Sequence, residues 1–256
     1  MHNVIIMGSG RSGTSMTAGI LSNSGYFMGH KVLNKGRINN PFGNYEDQEI
    51  NFLNEKLLEQ VIPGPVIVDG VLQHRERPGE MQRWLGSLAP DTTVPAMSEY
   101  IPKIQELTGI RPYCFKDPRF SYTLPVWSPY LEDTVYVCVF RNPHKTVLSI
   151  LKQIKDAPHL HGLEMGATSA MSVWTSMYSH ILDIHRRSGD WLFLHYDQLL
   201  TDEGMDRLSS FTGAEVNRDF PKRRLRRDYP VMETSAEADS IYASLCELGI
   251  GEGTGG

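Results

Sequence analysis

The chain is short of cysteine, with three in 256 residues. An odd count cannot pair throughout within one chain. Cys114 and Cys138 lie inside apolar runs and read as small buried hydrophobes, so no disulfide framework is implied. Long apolar runs are missing too: nothing approaches the roughly 18 consecutive residues that a membrane-spanning helix requires. The first strand begins by about Asn3, which leaves no room for the charged and apolar regions of a secretory leader. A reducing, cytoplasmic setting away from membranes is the expectation. Positive charge is also in short supply, since 25 Lys and Arg face 30 Asp and Glu for a formal net charge of -5. That balance argues against general affinity for nucleic acid. His159 and His161 have no Cys or acidic partners at ligand spacing, so they make a poor metal site and read as solvated or facing an acceptor. There is no internal repeat.

What is present is enough for a normal core: 40% hydrophobic and 21% charged residues fit one large α/β domain. The chain is organised around VIIMGSGRSGTSMTAGIL, Val4 to Leu21. Val4, Ile5, Ile6 and Met7 suit a buried parallel strand, Gly8 and Gly10 break it, and from Gly13 onward Met16, Ile20 and Leu21 fall at helical spacing. A strand, a glycine-rich turn and a helix aim backbone N–H groups and the positive end of a helix at one point, which suits a phosphate-like anion. The spacing overlays the Walker A pattern with Thr14 where the lysine belongs. That lysine reaches β- and γ-phosphates, so its loss argues for a ligand with other chemistry beyond its first phosphate, and Arg11 partly restores the charge.

Further along, Phe27 to Tyr45 reads as a loop and a helix follows, with Asn44 as its cap and Glu46 in its first turn. Glu46 either complements the helix dipole or faces the ligand as a proton acceptor. Pro65 to Gly70 reads as a short strand ending in Asp69, as a Walker B element would. Leu72 to Pro95 is irregular, 95–108 reads as a helix, and 112–115 as a strand running into Lys116-Asp117-Pro118-Arg119. The most apolar strand, Thr134 to Phe140, leads into Arg141-Asn142-Pro143 and a helix that carries Ser149. Arg141 and Ser149 either grip a second phosphate or serve as a helix-entry salt bridge and a neutral surface residue. A helix over 168–188, a strand over 190–196 and a helix over 199–212 follow. Lys222, Arg223, Arg224, Arg226 and Arg227 form a basic run that reads either as a solvated face or as cations serving the anion site.

As an ordered pair, GSGRSGTS and RNPHKTVLS, with FKDPR between them, resemble the ligand signatures of sulfotransferases that use 3′-phosphoadenosine 5′-phosphosulfate (PAPS). The resemblance covers about residues 4–200 and implies a P-loop-like α/β fold, a central parallel sheet flanked by helices on both faces; the chain reads as a single such domain over 1–230, with a C-terminal helix and a glycine-rich tail over 231–256 whose composition predicts disorder. It implies that Gly10, Arg11, Ser12, Gly13, Thr14 and Ser15 hold the 5′-phosphosulfate, that Arg141 and Ser149 hold the 3′-phosphate, and that Tyr196 approaches the adenine. Lys116 and Arg11 would stabilise charge as the sulfuryl group moves in line to a hydroxyl on a small molecule or polymer, leaving 3′-phosphoadenosine 5′-phosphate. One of Arg223 to Arg227 would reach the nucleotide. Relatives use a histidine or a glutamate as base. NPFGNYED resembles the glutamate-bearing segment, which selects Glu46, with His74 behind it. The family's reaction requires no metal.

Two other classes remain open at this point. A P-loop kinase or NTPase would hold Mg²⁺ on Asp69 or Asp117 and borrow a lysine from outside the loop; a catalytically silent nucleotide-binding scaffold would depend on neither Glu46 nor Lys116. Phe27, Phe42, Tyr45 and Trp84 hint at an apolar or aromatic acceptor. The sequence does not reveal the oligomeric state.

Overall fold

The computed structural model describes residues 1–33, 43–221 and 232–250. Val4, Ile5, Ile6 and Met7 are fully buried, and they make β1 (Asn3–Met7) an inner strand of a four-stranded parallel sheet. A tight turn leads into α1 (Thr14–Leu21), and α2 (Gln48–Glu59) follows. A hairpin of β2 (Val66–Val68) and β3 (Val71–Gln73) precedes α3 (Ile101–Gly109), β4 (Cys114–Lys116) and α4 (Phe120–Trp127). Next come β5 (Thr134–Phe140), α5 (Pro143–Asp156) and α6 (Ala167–Ser179). The described elements end with β6 (Asp190–His195), α7 (Asp202–Thr212) and α8 (Ala236–Ile250).

The sheet order is β4-β1-β5-β6, and every neighbouring pair is parallel. Alternate residues of each strand serve different cores. Val4 and Ile6 join Val137 and Leu194 beneath α1 and α7, whereas Ile5 and Met7 join Phe115 and Phe140 beneath α2, α4, α5, α6 and α8. With helices on both faces, both sets of side chains must be apolar, which is why the strands read as continuous hydrophobic runs. The architecture is therefore α/β, with a parallel sheet covered on both sides. No helix among the described residues is long and apolar enough to cross a membrane. The chain visits β4 on one side of β1 and then crosses to β5 on the other. Open α/β sheets bind ligands at the carboxyl ends of the strands where the winding reverses in this way.

Some elements depart from the sequence pattern. Pro65–Gly70 stays out of the parallel sheet: β2 pairs antiparallel with β3, Val68 facing Val71, and the hairpin is exposed. Asp69 and Gly70 both have positive φ, 50° and 77°, the two-residue hairpin geometry that an Asp-Gly pair favours over a crossover. The cap of α2 is Asp47 rather than Asn44. Its carboxylate accepts from the N–H groups of Glu49 (2.8 Å), Ile50 (3.1 Å) and Lys31 (2.6 Å), satisfying three donors at once. Glu46 therefore precedes the helix instead of lying in its first turn, and its side chain is not committed to the helix end. Helix α3 starts at Ile101, with Pro102 in its first turn where a missing N–H costs nothing, rather than near residue 95. Beyond Ser179 the predicted long helix widens into a π-helical turn over His180–Ile184 and ends in a 3₁₀ turn over His185–Arg187.

Candidate active site

The four parallel strands deliver four different groups to one edge of the sheet. β4 ends on Lys116, β1 runs into the glycine-rich turn, β5 is followed by Arg141, and β6 by Tyr196. Neighbouring strands lie about 4.8 Å apart, so the row from Lys116 to Tyr196 extends over about 14 Å.

The turn itself is held on two sides. Gly13 caps α1 with φ 109°, and a Cβ there would stand 2.8 Å from Cδ2 of Tyr196, so only glycine lets that ring lie against the turn. The Tyr178 hydroxyl accepts from the Ser9 N–H (3.2 Å) and donates to the Val139 carbonyl (2.8 Å), tying the turn to β5 just before Arg141. The Ser12 hydroxyl lies 3.5 Å from that of Thr146. Arg11 Nε donates to Ser149 Oγ at 3.2 Å, which joins segments 138 residues apart in sequence. The Arg141 guanidinium carbon sits 4.5 Å from the centre of the Tyr196 ring. Ser149 is buried, so it is no neutral surface residue.

At the other end of the row Lys116 forms an ion pair with Glu46 and donates to Ser15 Oγ at 3.1 Å. The two charged side chains are 1% and 13% exposed. Asn51 Nδ2 donates to the second Glu46 oxygen at 2.9 Å. Burial alone would raise the Glu46 pKa, but the charge and hydrogen bond of Lys116, the charge of Arg119 and the Asn51 N–H together hold it below the ordinary carboxylate range. Ser15, Glu46 and Lys116 open onto a cavity of about 770 Å³ whose wall also includes Arg11, Trp84 and Gln153.

A model of the Sulfotransferase family matches residues 3–217. The chain belongs to the sulfotransferase family. Among solved structures, the sulfotransferase domain of the Synechococcus PCC 7002 olefin synthase is 14% identical with a TM-score of 0.52, covering 95% of this chain and 94% of that one. At such identity the likeness concerns the fold. Sulfotransferase STF9 from Mycobacterium avium is 16% identical with a TM-score of 0.46, covering 96% of this chain and 68% of that one. No curated protein matches the chain.

In this sulfotransferase several residues that the sequence singled out stand elsewhere. His74 sits on the exposed loop after β3, 3.3 Å from Glu76, outside the cavity wall. Asp69 sits in the turn of the separate two-stranded hairpin rather than at the end of a strand of the parallel sheet, and it is not part of the cavity wall. Asp117 is fully buried, and its oxygens accept from the Arg119 backbone N–H (2.9 Å), the Arg119 guanidinium (3.1 Å) and Asn54 (3.0 Å). Phe27 packs edge-on against Phe115, and Tyr45 packs edge-on against Phe220; of the aromatic residues proposed for the acceptor, Trp84 lines the cavity. His159 lines it as well, while His161 is exposed. Phe42 and the basic residues 222–227 lie outside the described residues.

The sequence reasoning missed a buried ionic network behind the cavity. Glu55 receives Arg83 at 2.9 Å and Arg119 at 2.8 Å, and Arg119 also donates to the Met81 carbonyl at 2.8 Å. All three charged groups are at least 94% buried. A signal existed. Asp47, Asn51, Asn54 and Glu55 recur at helical spacing beside the apolar stripe of α2, a polar stripe that faces inward rather than to water.

Proposed function

We propose that this sulfotransferase moves a sulfuryl group from PAPS to a hydroxyl acceptor and releases 3′-phosphoadenosine 5′-phosphate. The observation that supports the reading is the hydrogen bond from Arg11 to Ser149, because it brings the glycine-rich turn against the helix that carries Ser149. A ligand with anionic groups at both ends then has a cradle for each.

The residues present suit such a donor. Gly10 to Ser15 bind the 5′-phosphosulfate through backbone N–H groups and the N-terminus of α1. Arg141 and Ser149 bind the 3′-phosphate, and Tyr196, stacked beneath the Arg141 guanidinium, faces the adenine. Bound there, the donor supplies a sulfur atom whose bond to the bridging oxygen breaks in line with the attacking hydroxyl. Lys116 and Arg11 face the charge that grows on the leaving side, the task that a metal ion performs in phosphoryl transfer. Glu46 accepts the proton of the acceptor hydroxyl. The pairing of Lys116 with Glu46 couples these roles: once Lys116 has a sulfuryl group to face, its hold on Glu46 weakens and the carboxylate becomes a better base.

Calorimetry tests the donor. 3′,5′-Adenosine bisphosphate is expected to bind in preference to ATP, and the opposite preference would overturn the assignment. Arg141→Ala is expected to weaken bisphosphate binding by about 1.5–3 kcal/mol, roughly 10- to 150-fold, as for loss of a charge-assisted hydrogen bond. An unchanged Kd would place the 3′-phosphate elsewhere.

A further inference from the structure

Helix α8 lies beyond the residues matched by the family model, which end at 217, yet it packs against β6, α5 and α6. Gln198, Gly249 and Tyr242 hold it there. Gln198 receives the His195 N–H at 2.7 Å and donates to the Gly249 carbonyl at 2.9 Å, which bridges the end of β6 to the end of α8. Gly249 permits the close approach, since a Cβ there would stand 2.9 Å from the Phe140 ring. Tyr242, two turns earlier, reaches the ends of β5 and β6 together. Its ring lies edge-on to Phe140 with centres 6.3 Å apart, and its hydroxyl is 3.3 Å from His195 Nε2.

The hydrogen bonds around this hydroxyl have one consistent direction. His195 Nδ1 accepts from the Asp197 backbone N–H at 3.1 Å, which puts the ring proton on Nε2, where it faces Tyr242. Asn142 Oδ1 caps α5 by accepting from the His144 N–H at 3.1 Å, and this leaves the Asn142 Nδ2 for Tyr242. Burial pushes the tyrosine pKa up to about 12, so the hydroxyl stays protonated at neutral pH. Each partner stands one residue from a group assigned above to the donor: Phe140 and Asn142 flank Arg141, and His195 precedes Tyr196. The Tyr196 N–H also donates to the Phe140 carbonyl at 2.8 Å. Fixing both strand ends beforehand reduces the freedom that Arg141 and Tyr196 lose when they close on one ligand. Packing of α8 does not require the hydroxyl, because Ala238 and Leu245 are fully buried against the core and a phenylalanine would keep the ring contacts.

We infer that Tyr242 is a positioning residue for donor binding: from α8 it holds His195 and Asn142, and through them it sets Tyr196 for the adenine and Arg141 for the 3′-phosphate. This inference rests on the sulfotransferase reading above. It makes the C-terminal helix part of the donor site, although no residue of α8 touches the donor.

The test is calorimetry on the full chain with 3′,5′-adenosine bisphosphate and with adenosine 5′-phosphate, which lacks the 3′-phosphate. Tyr242→Phe is expected to raise the bisphosphate Kd about three- to tenfold, as for loss of one hydrogen bond, and the adenosine 5′-phosphate Kd by less, so that the preference between them narrows. His195→Asn keeps an acceptor near the place of Nδ1 but no longer reaches Tyr242, and it is expected to match Tyr242→Phe. The double variant should bind no more weakly than either single one, since both break the same link. In sulfate transfer the change should fall on the KM for PAPS rather than on kcat, because Lys116 and Glu46 lie at the other end of the row. A bisphosphate Kd within twofold of wild type in Tyr242→Phe, equal losses for the two nucleotides, additive losses in the double variant, or a change confined to kcat overturns the inference and leaves the donor assignment standing. Failure of the wild-type chain to bind the bisphosphate defeats the sulfotransferase reading and the inference with it.

Discussion

Glu46→Gln is expected to lower the rate of sulfuryl transfer about 10²- to 10⁴-fold, the usual contribution of a positioned general base. Affinity for 3′,5′-adenosine bisphosphate should scarcely change, because Glu46 faces the cavity and Lys116 rather than the Arg141 end of the row. Glutamine keeps the length of the side chain and an oxygen for Lys116, so the variant removes the proton-accepting function with little loss of packing. The pH dependence follows from the environment of Glu46. In the free protein its carboxyl is held below the ordinary range by Lys116, Arg119 and Asn51, which outweigh the effect of burial. The base is active when ionised, so kcat/KM should fall on acidification only below that range. The limb in kcat should lie at higher pH, because a sulfuryl group that engages Lys116 relaxes its grip on Glu46. A loss smaller than tenfold, or a pH profile unchanged by the substitution, would assign the base to another residue.

Glu55→Ala is expected to cost about 3–5 kcal/mol of stability, the range for removing one partner of a buried ion pair. The large effect arises because one buried carboxylate serves two buried guanidiniums, and removing it takes the 2.9 Å contact from Arg83 and the 2.8 Å contact from Arg119 together. Arg83 and Arg119 are buried on either side of Glu55, and without it Arg83 keeps Glu59 at 3.4 Å and the Ile62 carbonyl at 3.0 Å, while Arg119 keeps Asp117. Urea denaturation reads the change directly, and a loss below about 1 kcal/mol would mean that water reaches the arginines. The site should suffer too. Arg119 holds the Met81 carbonyl and Arg83 neighbours Trp84, so the segment that lines the cavity is anchored through Glu55. A rise in acceptor KM should accompany the stability loss.

The readings that succeeded have a common character. β1, β5 and β6 were legible because strands covered on both faces must be apolar throughout, and that requirement leaves a continuous run in the sequence. The glycine-rich turn was legible because backbone geometry dictates residue type locally, as at Gly13. The errors lay where two local solutions compete. An apolar triplet at Val66–Val68 suits a sheet strand, yet Asp69-Gly70 closes it into a hairpin. Asn44 and Asp47 can each cap a helix, and the choice went to the carboxylate that also receives the Lys31 N–H from another segment.

By itself, then, the sequence determined the alternation of buried strands and helices, the glycine-rich turn between β1 and α1, and the arginine and serine that follow β5. Tertiary structure alone decided how they meet. Lys116 and Glu46 are 70 residues apart in sequence, and Arg11 and Ser149 are 138 apart. Their contacts depend on β1 lying between β4 and β5, an order that no local pattern encodes. Burial of Glu55, Arg83 and Arg119 was equally hidden, because a charged residue reads as solvated until the fold shows that its counter-charges are buried with it.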